Sequence, residues 1–296
     1  MKLVIKIWKL LLLTTDLLID GLTSQTDLDT LTLYLKMITL VLVILYTFLE
    51  AQKPSDIWVS GPHIENLKHW QDIGANVTTS NGEVLLECNI VFLGMKPGML
   101  EAALRDCAKS DLKPHIYQNL IVSMLAGITI ERLHQALRSI LPYPIKVIRI
   151  MPNTPMMVGV GSCLYSPDAN VTQEDCMILK MLLSKSAVTE QIPETMIDSL
   201  GSLTGCGPAF VYIIIEALAD GAVKQGVPRA VALRQAAQVV AGSGQMVLQT
   251  GKHPGQLKDE VCSPGGSTIC GVTALETGKI RYYSIWKSLQ RRADFL

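Results

Sequence analysis

The residues of this chain that are best suited to chemistry lie in one turn near its carboxyl end. Residues 263–268 read Ser-Pro-Gly-Gly-Ser-Thr and stand between two helical patterns within the segment 253–276. Ser263 is predicted to cap the second helix, Pro264 to take its first position, and the two glycines to let a ligand approach the backbone. Because the first N–H groups of a helix lack partners and carry partial positive charge, this turn suits a carboxylate or a phosphate. An ordinary capped helix start is the alternative interpretation.

A second set of polar and small residues follows short apolar runs in the first half of the chain. The runs are predicted to be strands at 57–60, 90–94, 120–123 and 147–150, with helices at 64–73, 99–109 and 130–140 between them. This alternation favours a parallel, doubly wound sheet, in which ligands bind beyond the carboxyl ends of the strands. The residues at those ends are Ser60, Met95 with Lys96 and Pro97, Ala126 with Gly127, and Asn153 with Thr154 and Pro155. Together they indicate a nucleotide crevice, whereas each alone is equally typical of a plain turn.

Helices replace strands in the last third of the chain. The sequence predicts that residues 204–208 precede a long apolar helix over 209–225, and that Pro228 opens another helix running to about Thr250. The most apolar stretch, 210–215, is too short to span a bilayer and is predicted to be deeply buried. Because a helix that is apolar around most of its circumference needs cover on all sides, we expect a partner subunit. The central helix of a monomeric bundle is the alternative.

The composition narrows the functional class. The chain has 296 residues, of which 49% are hydrophobic, and its 26 basic residues balance its 26 acidic ones, so nucleic acid is not an expected partner. The five histidines lack zinc-ligand spacing, so we expect no metal site, and His253 beside Pro254 is interpreted as a turn residue. Seven cysteines without a CxxC pair favour reduced, mostly buried thiols and a cytoplasmic location.

The first 53 residues differ from the rest of the chain in the pattern of their apolar residues. Residues 1–13 and 31–49 are largely apolar, and the second run is borderline in length for a membrane-spanning helix. A mitochondrial or membrane-associated location is therefore the alternative to a cytoplasmic one. A cleavable signal would bring glycosylation of the Asn-x-Thr sequons at Asn76 and Asn170. We favour an atypical leader over membrane insertion through residues 31–49.

Residues 253–276, together with 201–208 and the loop at 153–155, closely resemble the pyrroline-5-carboxylate reductase family, whose members make proline. The resemblance covers about residues 55–296. It implies an NAD(P)H-binding Rossmann domain, an all-helical dimerisation domain, and assembly into homodimers or larger rings with the substrate pocket between protomers. We divide the chain accordingly into an apolar leader at 1–53, a Rossmann-like domain at 54–191, and a helical dimerisation and substrate-binding domain at 192–296.

The resemblance also implies roles for particular residues. Reduction of 1-pyrroline-5-carboxylate to L-proline moves a hydride from NADPH or NADH to the imine carbon, and the catalytic hydroxyl of Thr268 would orient or protonate the ring nitrogen. The implied substrate-binding residues are Glu194, Ser263, Gly265, Gly266, Ser267 and Thr268. The implied cofactor-binding residues are Ser60, Asn81, Met95, Lys96, Ala126, Asn153 and Glu260. Neither a metal nor a covalent intermediate is implied, because the cofactor carries the difficult step.

The amino terminus departs from the family pattern. The family begins with a strand and a G-x-G-x-x-A turn for the pyrophosphate, whereas residues 1–53 contain one glycine, Gly21. The first βα unit is therefore predicted to be incomplete, with a substitute strand from residues 1–7 or 40–45. The alternative function is a non-catalytic form, spliced or tethered to a membrane, that pairs with intact reductase subunits. A 3-hydroxy acid dehydrogenase is a more distant alternative, because it would not explain the Ser-Pro-Gly-Gly-Ser-Thr turn.

Overall fold

The computed structural model describes residues 10–13, 53–110, 112, 119–141 and 144–280. The chain divides into two compact units, which we call the sheet unit (residues 1–205) and the helical unit (residues 206–296). The division falls inside one long helix, Glu194–Lys224, whereas the sequence places the boundary just before that helix.

The sheet unit is built on eight strands in the spatial order β3-β2-β1-β4-β5-β6-β7-β8. Strands β1 to β6 run parallel, β7 is antiparallel to β6, and β8 is parallel to β7. The strands are β1 Leu10–Leu13, β2 Ile57–Ser60, β3 Asn76–Thr78, β4 Ile90–Leu93, β5 Leu120–Ser123, β6 Lys146–Pro152, β7 Gly161–Pro167 and β8 Ala187–Gln191. This order is that of a doubly wound dinucleotide-binding sheet with two added strands, which confirms the predicted fold class.

The first strand comes from the leader, but from a segment other than the two that the sequence suggested. Leu10–Leu13 lies at the centre of the sheet, paired in parallel with Ile57–Ser60 on one side and with Ile90–Leu93 on the other. Four successive leucines suit a strand with neighbours on both sides, since parallel strands are buried on both faces. Residues 1–7 and 40–45 lie outside the described residues.

Alternate residues of the central strands fill two separate cores. Ile90 and Phe92 of β4 belong to the core on one face, and Val91 and Leu93 belong to the core on the other. The helices of the sheet unit cover these faces: α1 Lys68–Asp72, α2 Asn81–Glu87, α3 Leu100–Cys107, α4 Ile130–Leu137 and α5 Gln173–Leu183. The predicted strands and the helices predicted at 64–73, 99–109 and 130–140 are confirmed, with the first of these beginning as the 3-10 turn Ile64–Leu67.

The remaining helices are longer. They are α6 Glu194–Lys224, α7 Arg229–Thr250, α8 Pro254–Val261 and α9 Ser267–Thr277. The prediction that residues 204–208 precede a helix beginning at 209 is wrong, because α6 runs through Pro208. A proline removes the N–H that would bond to the carbonyl four residues earlier, here that of Thr204. That carbonyl accepts from Asn153 Nδ2 at 3.2 Å instead, so the helix continues without leaving it unpaired.

Helix α6 exposes much of its apolar surface in the single chain. Tyr212 is 59% exposed and Ile213 is 65% exposed, so the predicted deep burial of 210–215 is not found in the chain by itself. Among the described residues α6 is also the one helix long and apolar enough to cross a membrane. Only 6% of its most apolar 18-residue stretch is buried. It is longer than the sequence indicated because it begins at Glu194.

Four of the seven cysteines are buried, namely Cys88, Cys107, Cys163 and Cys176, in line with the expectation of mostly buried thiols. Burial raises the pKa of Cys107 and of Cys163 to about 12. Because only the thiolate reacts, we expect these two thiols to resist an aromatic disulfide reagent at pH 8 in the folded protein. Mass spectrometry after a timed reaction would measure this, with denatured protein as the fully reactive control. Rapid labelling of Cys163 in the native state would contradict the packing.

Arg149 is the one fully buried charge in β6, and its guanidinium contacts Glu194 at 3.3 Å and Asp198 at 2.8 Å. We expect Arg149→Met to lower the free energy of unfolding by about 3 kcal/mol, because two carboxylates lose their counter-ion. Urea unfolding followed by circular dichroism would measure the change. The control is Arg132→Met, whose exposed pair with Glu101 should contribute less than about 1 kcal/mol. Equal effects of the two substitutions would refute a structural role for the buried network.

Candidate active site

The Ser-Pro-Gly-Gly-Ser-Thr segment forms a turn that leads directly into α9. The Gly266 N–H donates to the Ser263 carbonyl at 3.1 Å, and Gly266 is the cap of a helix that starts at Ser267. The prediction that Ser263 caps the helix and Pro264 opens it is therefore wrong. The reason is that Gly265 has a left-handed φ of +69° and Gly266 is extended, so helical geometry begins only at Ser267.

The two glycines of this turn serve different purposes. Gly265 supplies the positive φ, while a Cβ on Gly266 would lie 2.5 Å from Ser263 Oγ. A side chain at either position would therefore deform the turn. Only Gly265 faces open space, since a Cβ there meets nothing within 4 Å.

Helix α9 presents its first backbone donors beside this turn. The N–H groups of Ser267, Thr268 and Ile269 occupy the first three helical positions, which have no acceptor within their own helix. The dipole of the 11-residue helix adds partial positive charge at the same end. Thr268 is half-buried, so its hydroxyl stands at the edge of the turn. The geometry is suited to a small carboxylate next to a hydroxyl.

The neighbouring helix α8 is held by its own cap. His253 Nδ1 accepts a hydrogen bond from the Gly255 N–H at 3.1 Å, which confirms His253 as a turn residue. Glu260 lies in the last turn of α8 and accepts from Lys252 Nζ at 2.8 Å. This hydrogen bond lowers the pKa of Glu260, so its carboxylate stays ionised.

In the sheet unit, the parallel register brings the strand ends to one edge. Leu13 of β1 is in register with Ser60 of β2 and with Leu93 of β4, and Leu93 is in register with Ser123 of β5. The strand order reverses at β1, between β2 and β4, and a crevice in which dinucleotides bind forms at such a switch point. Of the residues predicted to bind the cofactor, Ser60 ends β2, Met95 and Lys96 follow β4, and Ala126 follows β5, whereas Glu260 lies in the helical unit.

Two of those residues are joined directly. The buried hydroxyl of Ser60 donates to Asn81 Oδ1 at 2.7 Å, and the Asn81 N–H donates to Asp106 Oδ2 at 2.8 Å. The segment 78–83 is further fixed because Ser80 caps α2 by accepting from the Glu83 N–H. Hydrogen bonds therefore fix the polar side chains of Ser60, Ser80 and Asn81 next to the end of β2.

The next two strand ends differ in what they expose. Met95 is buried in the sheet core, so a ligand at this edge would meet its backbone rather than its side chain. Burial lowers the pKa of the neighbouring Lys96, whose ammonium group is partly desolvated. Ala126 is exposed, and Gly127 beside it has a φ of +75°. Small residues and bent backbone at this point leave room for a flat ligand.

Asn153 and Glu194 are both held by other groups of the sheet unit. Asn153 Oδ1 accepts from the Ser162 N–H at 2.8 Å while its amide donates to Thr204. Glu194 Oε1 accepts from the Ile130 N–H at 2.7 Å and pairs with Arg149. Both residues therefore have a structural role, and their contact with a ligand stays a prediction.

Arg149 and its partner Asp198 were missed from the sequence, although a charge inside the apolar run 147–150 was an available signal. His134, which contacts Asp168 at 2.7 Å, was missed as well. His134 and Glu194 line an open groove of about 660 Å³.

Among the residues that the structure describes, no cluster of three or more His, Cys, Asp or Glu side chains is placed to hold a metal.

The residues of the strand-end edge fit a nicotinamide dinucleotide in the part that the structure describes. The edge offers a polar ribose position at Ser60 and Asn81, a partly buried lysine at Lys96, and an open small-residue position at Ala126. The turn after β1, which holds the pyrophosphate in such folds, falls in residues 14–52, outside the described residues.

Comparison with known proteins decides the family. The chain is 43% identical over 232 residues to pyrroline-5-carboxylate reductase 3 of Danio rerio, covering 78% of each protein. The chain belongs to the pyrroline-5-carboxylate reductase family. It is also 42% identical over 224 residues to pyrroline-5-carboxylate reductase of Escherichia coli, covering 75% of this chain and 80% of that protein.

Two family models and a solved structure agree with this assignment. Residues 194–290 match pyrroline-5-carboxylate reductase dimerisation, and residues 43–127 match NADP oxidoreductase coenzyme F420-dependent. The NADP-bound pyrroline carboxylate reductase of Plasmodium falciparum superposes with a TM-score of 0.73 at 26% identity, covering 96% of this chain and 95% of that one. Like the family it belongs to, this reductase-family chain carries a Rossmann-type sheet followed by a helical dimerisation region.

The turn geometry makes a specific prediction for Gly265. We expect Gly265→Ala to destabilise the turn by about 1–2 kcal/mol, since an L-residue is strained at φ +69°. Thermal unfolding would register the loss. Gly271→Ala is the matched control, because a Cβ there meets nothing within 4 Å and alanine favours a helix interior. A variant at 265 as stable as the wild type would show that the turn does not need the left-handed conformation.

Proposed function

We propose that this chain reduces 1-pyrroline-5-carboxylate to L-proline with NADPH or NADH, the last step of proline biosynthesis. The observation that carries the proposal is the Ser263–Thr268 turn at the start of α9, inside the region matched to the family's dimerisation model. Its backbone donors and adjacent hydroxyl complement a substrate that has a carboxylate beside an imine. The family's curated relatives bear the name of this activity.

The cofactor, when bound, supplies the hydride from its nicotinamide ring to the imine carbon. The residues proposed to hold it are Ser60, Asn81, Met95, Lys96, Ala126, Asn153 and Glu260. Ser60 and Asn81 form one polar position through their shared hydrogen bond, and the backbone at Met95 forms a buried wall beside it. Burial lowers the pKa of Lys96, and its ammonium group is proposed to contact a phosphate of the cofactor.

The substrate would be bound by its carboxylate and its nitrogen. The proposed carboxylate ligands are the backbone and hydroxyl groups of Ser263, Gly265, Gly266 and Ser267. Thr268 is the proposed catalytic residue, whose hydroxyl holds the ring nitrogen so that the imine carbon faces the hydride. Glu194 is the proposed second polar contact, and it would use the carboxylate oxygen that Arg149 and Ile130 do not engage.

A homo-oligomer is the proposed assembly. The region matched to the dimerisation family includes all of α6, and this helix leaves Tyr212, Ile213 and Leu218 exposed in the single chain. Burying such a surface against a second copy removes apolar area from water. Subunit contact therefore accounts for the long apolar helix without a membrane.

A cytoplasmic location is proposed with it. Both sequon amides make backbone hydrogen bonds, Asn76 Nδ2 to Ser55 and Ile57 and Asn170 Nδ2 to Ile145, so glycosylation would break local structure. Nothing in the fold or the comparisons favours the non-catalytic, membrane-tethered alternative over the reductase. A non-catalytic partner would bind intact subunits yet oxidise no NADPH.

The deciding experiment is to follow NADPH oxidation by the purified full-length chain with and without 1-pyrroline-5-carboxylate. We expect oxidation that depends on the substrate and yields proline, which amino-acid analysis would detect. Absence of turnover and of NADPH binding at millimolar cofactor would refute the reductase. Absence of turnover with intact NADPH binding would favour the non-catalytic alternative.

Thr268 allows a residue-level test. We expect Thr268→Ala to lower kcat/KM for 1-pyrroline-5-carboxylate about 100-fold, because the ring nitrogen loses its hydrogen-bond partner. Thr268→Ser, which keeps the hydroxyl, should recover most of the activity. The control is Thr273→Ala on the same helix, whose hydroxyl is bonded to the Ile269 carbonyl at 2.9 Å and should not affect turnover. Full activity of Thr268→Ala would remove this residue from the mechanism.

A further inference from the structure

The loop that follows β2 lies at the edge of the sheet where the strand ends meet. Ser60 is the last residue of the strand, and the Gly61 N–H donates to the Thr78 carbonyl of β3 at 3.2 Å. In doubly wound folds this position meets the ribose of the adenosine, where an acidic side chain binds the 2′-hydroxyl of NAD and a cationic one accepts the 2′-phosphate of NADP. The side chains of this loop therefore bear on the choice between the two cofactors.

No carboxylate stands at the end of β2 in this chain. Ser60 takes that place, and its hydroxyl is committed to Asn81. The first ionisable side chain after the strand is His63, and the first acidic one is Glu65. Nδ1 of His63 lies 3.6 Å from Glu65 Oε1, and the two side chains are 46% and 70% exposed. The loop thus carries an imidazole three residues beyond the strand end at which an NAD-selective fold places an acid.

Two further carboxylates of the described residues near this edge are already engaged. Glu83 accepts the hydroxyl of Thr78, and Asp106 accepts from the Asn81 N–H and pairs with Lys109 at 3.1 Å. They are neutralised or bonded, so they oppose an incoming phosphate less than an unpaired carboxylate would. Glu65, by contrast, is an exposed anion whose partner is the imidazole itself.

We propose that His63 selects NADPH over NADH by donating to the 2′-phosphate, and that Glu65 competes with that phosphate for the imidazole. This inference rests on the proposed reductase function, because it concerns the cofactor of that reaction. The contact between His63 and Glu65 is exposed and spans 3.6 Å, so it is weak and a phosphate dianion can displace Glu65 at little cost. When no phosphate is present, Glu65 keeps the His63 imidazole beside the ribose position.

The test is direct binding, measured by titrating the full-length protein with NADPH and with NADH and following nicotinamide fluorescence. We expect His63→Asn to raise the Kd for NADPH about fivefold while the Kd for NADH stays within about twofold. Glu65→Gln should lower the Kd for NADPH about two- to threefold, because the competitor loses its charge. The control is His69→Asn, which removes an exposed imidazole from α1 and should change neither Kd.

A second probe isolates the phosphate. Adenosine 2′,5′-bisphosphate should displace NADH, whose own Kd is unchanged, less effectively from His63→Asn than from the wild type, whereas ADP should displace NADH equally from both. If the wild type binds NADPH but His63→Asn weakens both cofactors alike or neither, the selectivity role is overturned while the reductase stands. If the wild type binds neither cofactor, both proposals fall.

Discussion

The parallel register around β1 is the constraint on which the rest of the sheet unit depends. Leu10–Leu13 pairs with β2 on one side and β4 on the other, so it sets the level at which both neighbours end. Ser60, Lys96 and Ala126 come from separate parts of the sequence and meet at one edge because of that alignment.

The sheet could be predicted from the sequence because its strands are short, apolar and separated by well-marked turns. β2, β4, β5 and β6 were each visible as runs of β-branched residues, and the helices between them as amphipathic segments. The position of β1 could not be predicted, since the leader contains several leucine-rich stretches of similar character. Only pairing with two neighbours distinguishes residues 10–13 from the others.

The candidate site was predicted in its residue types rather than in its local geometry. The Ser-Pro-Gly-Gly-Ser-Thr sequence indicated a helix start, yet the helix begins after the second glycine because the first adopts a left-handed conformation. The identities of Ser60 and Asn81 came from the family resemblance, whereas their mutual hydrogen bond is a long-range contact that spacing along the chain does not reveal. Arg149 was missed because a charge inside a strand has no partner that can be named until the helix that follows β8 is in place.

Helix α6 contains a proline that would ordinarily end it, and the loop at Asn153 supplies the donor that the proline lacks. One consequence concerns which substitutions the two positions can accept together. A change at position 153 removes the donor on which the carbonyl of Thr204 relies, and replacement of Pro208 by any other residue restores a rival donor for the same carbonyl. The loop at Asn153 and the helix in the dimerisation region therefore depend on the same acceptor, the Thr204 carbonyl. A substitution at position 153 is felt at position 208, and the reverse.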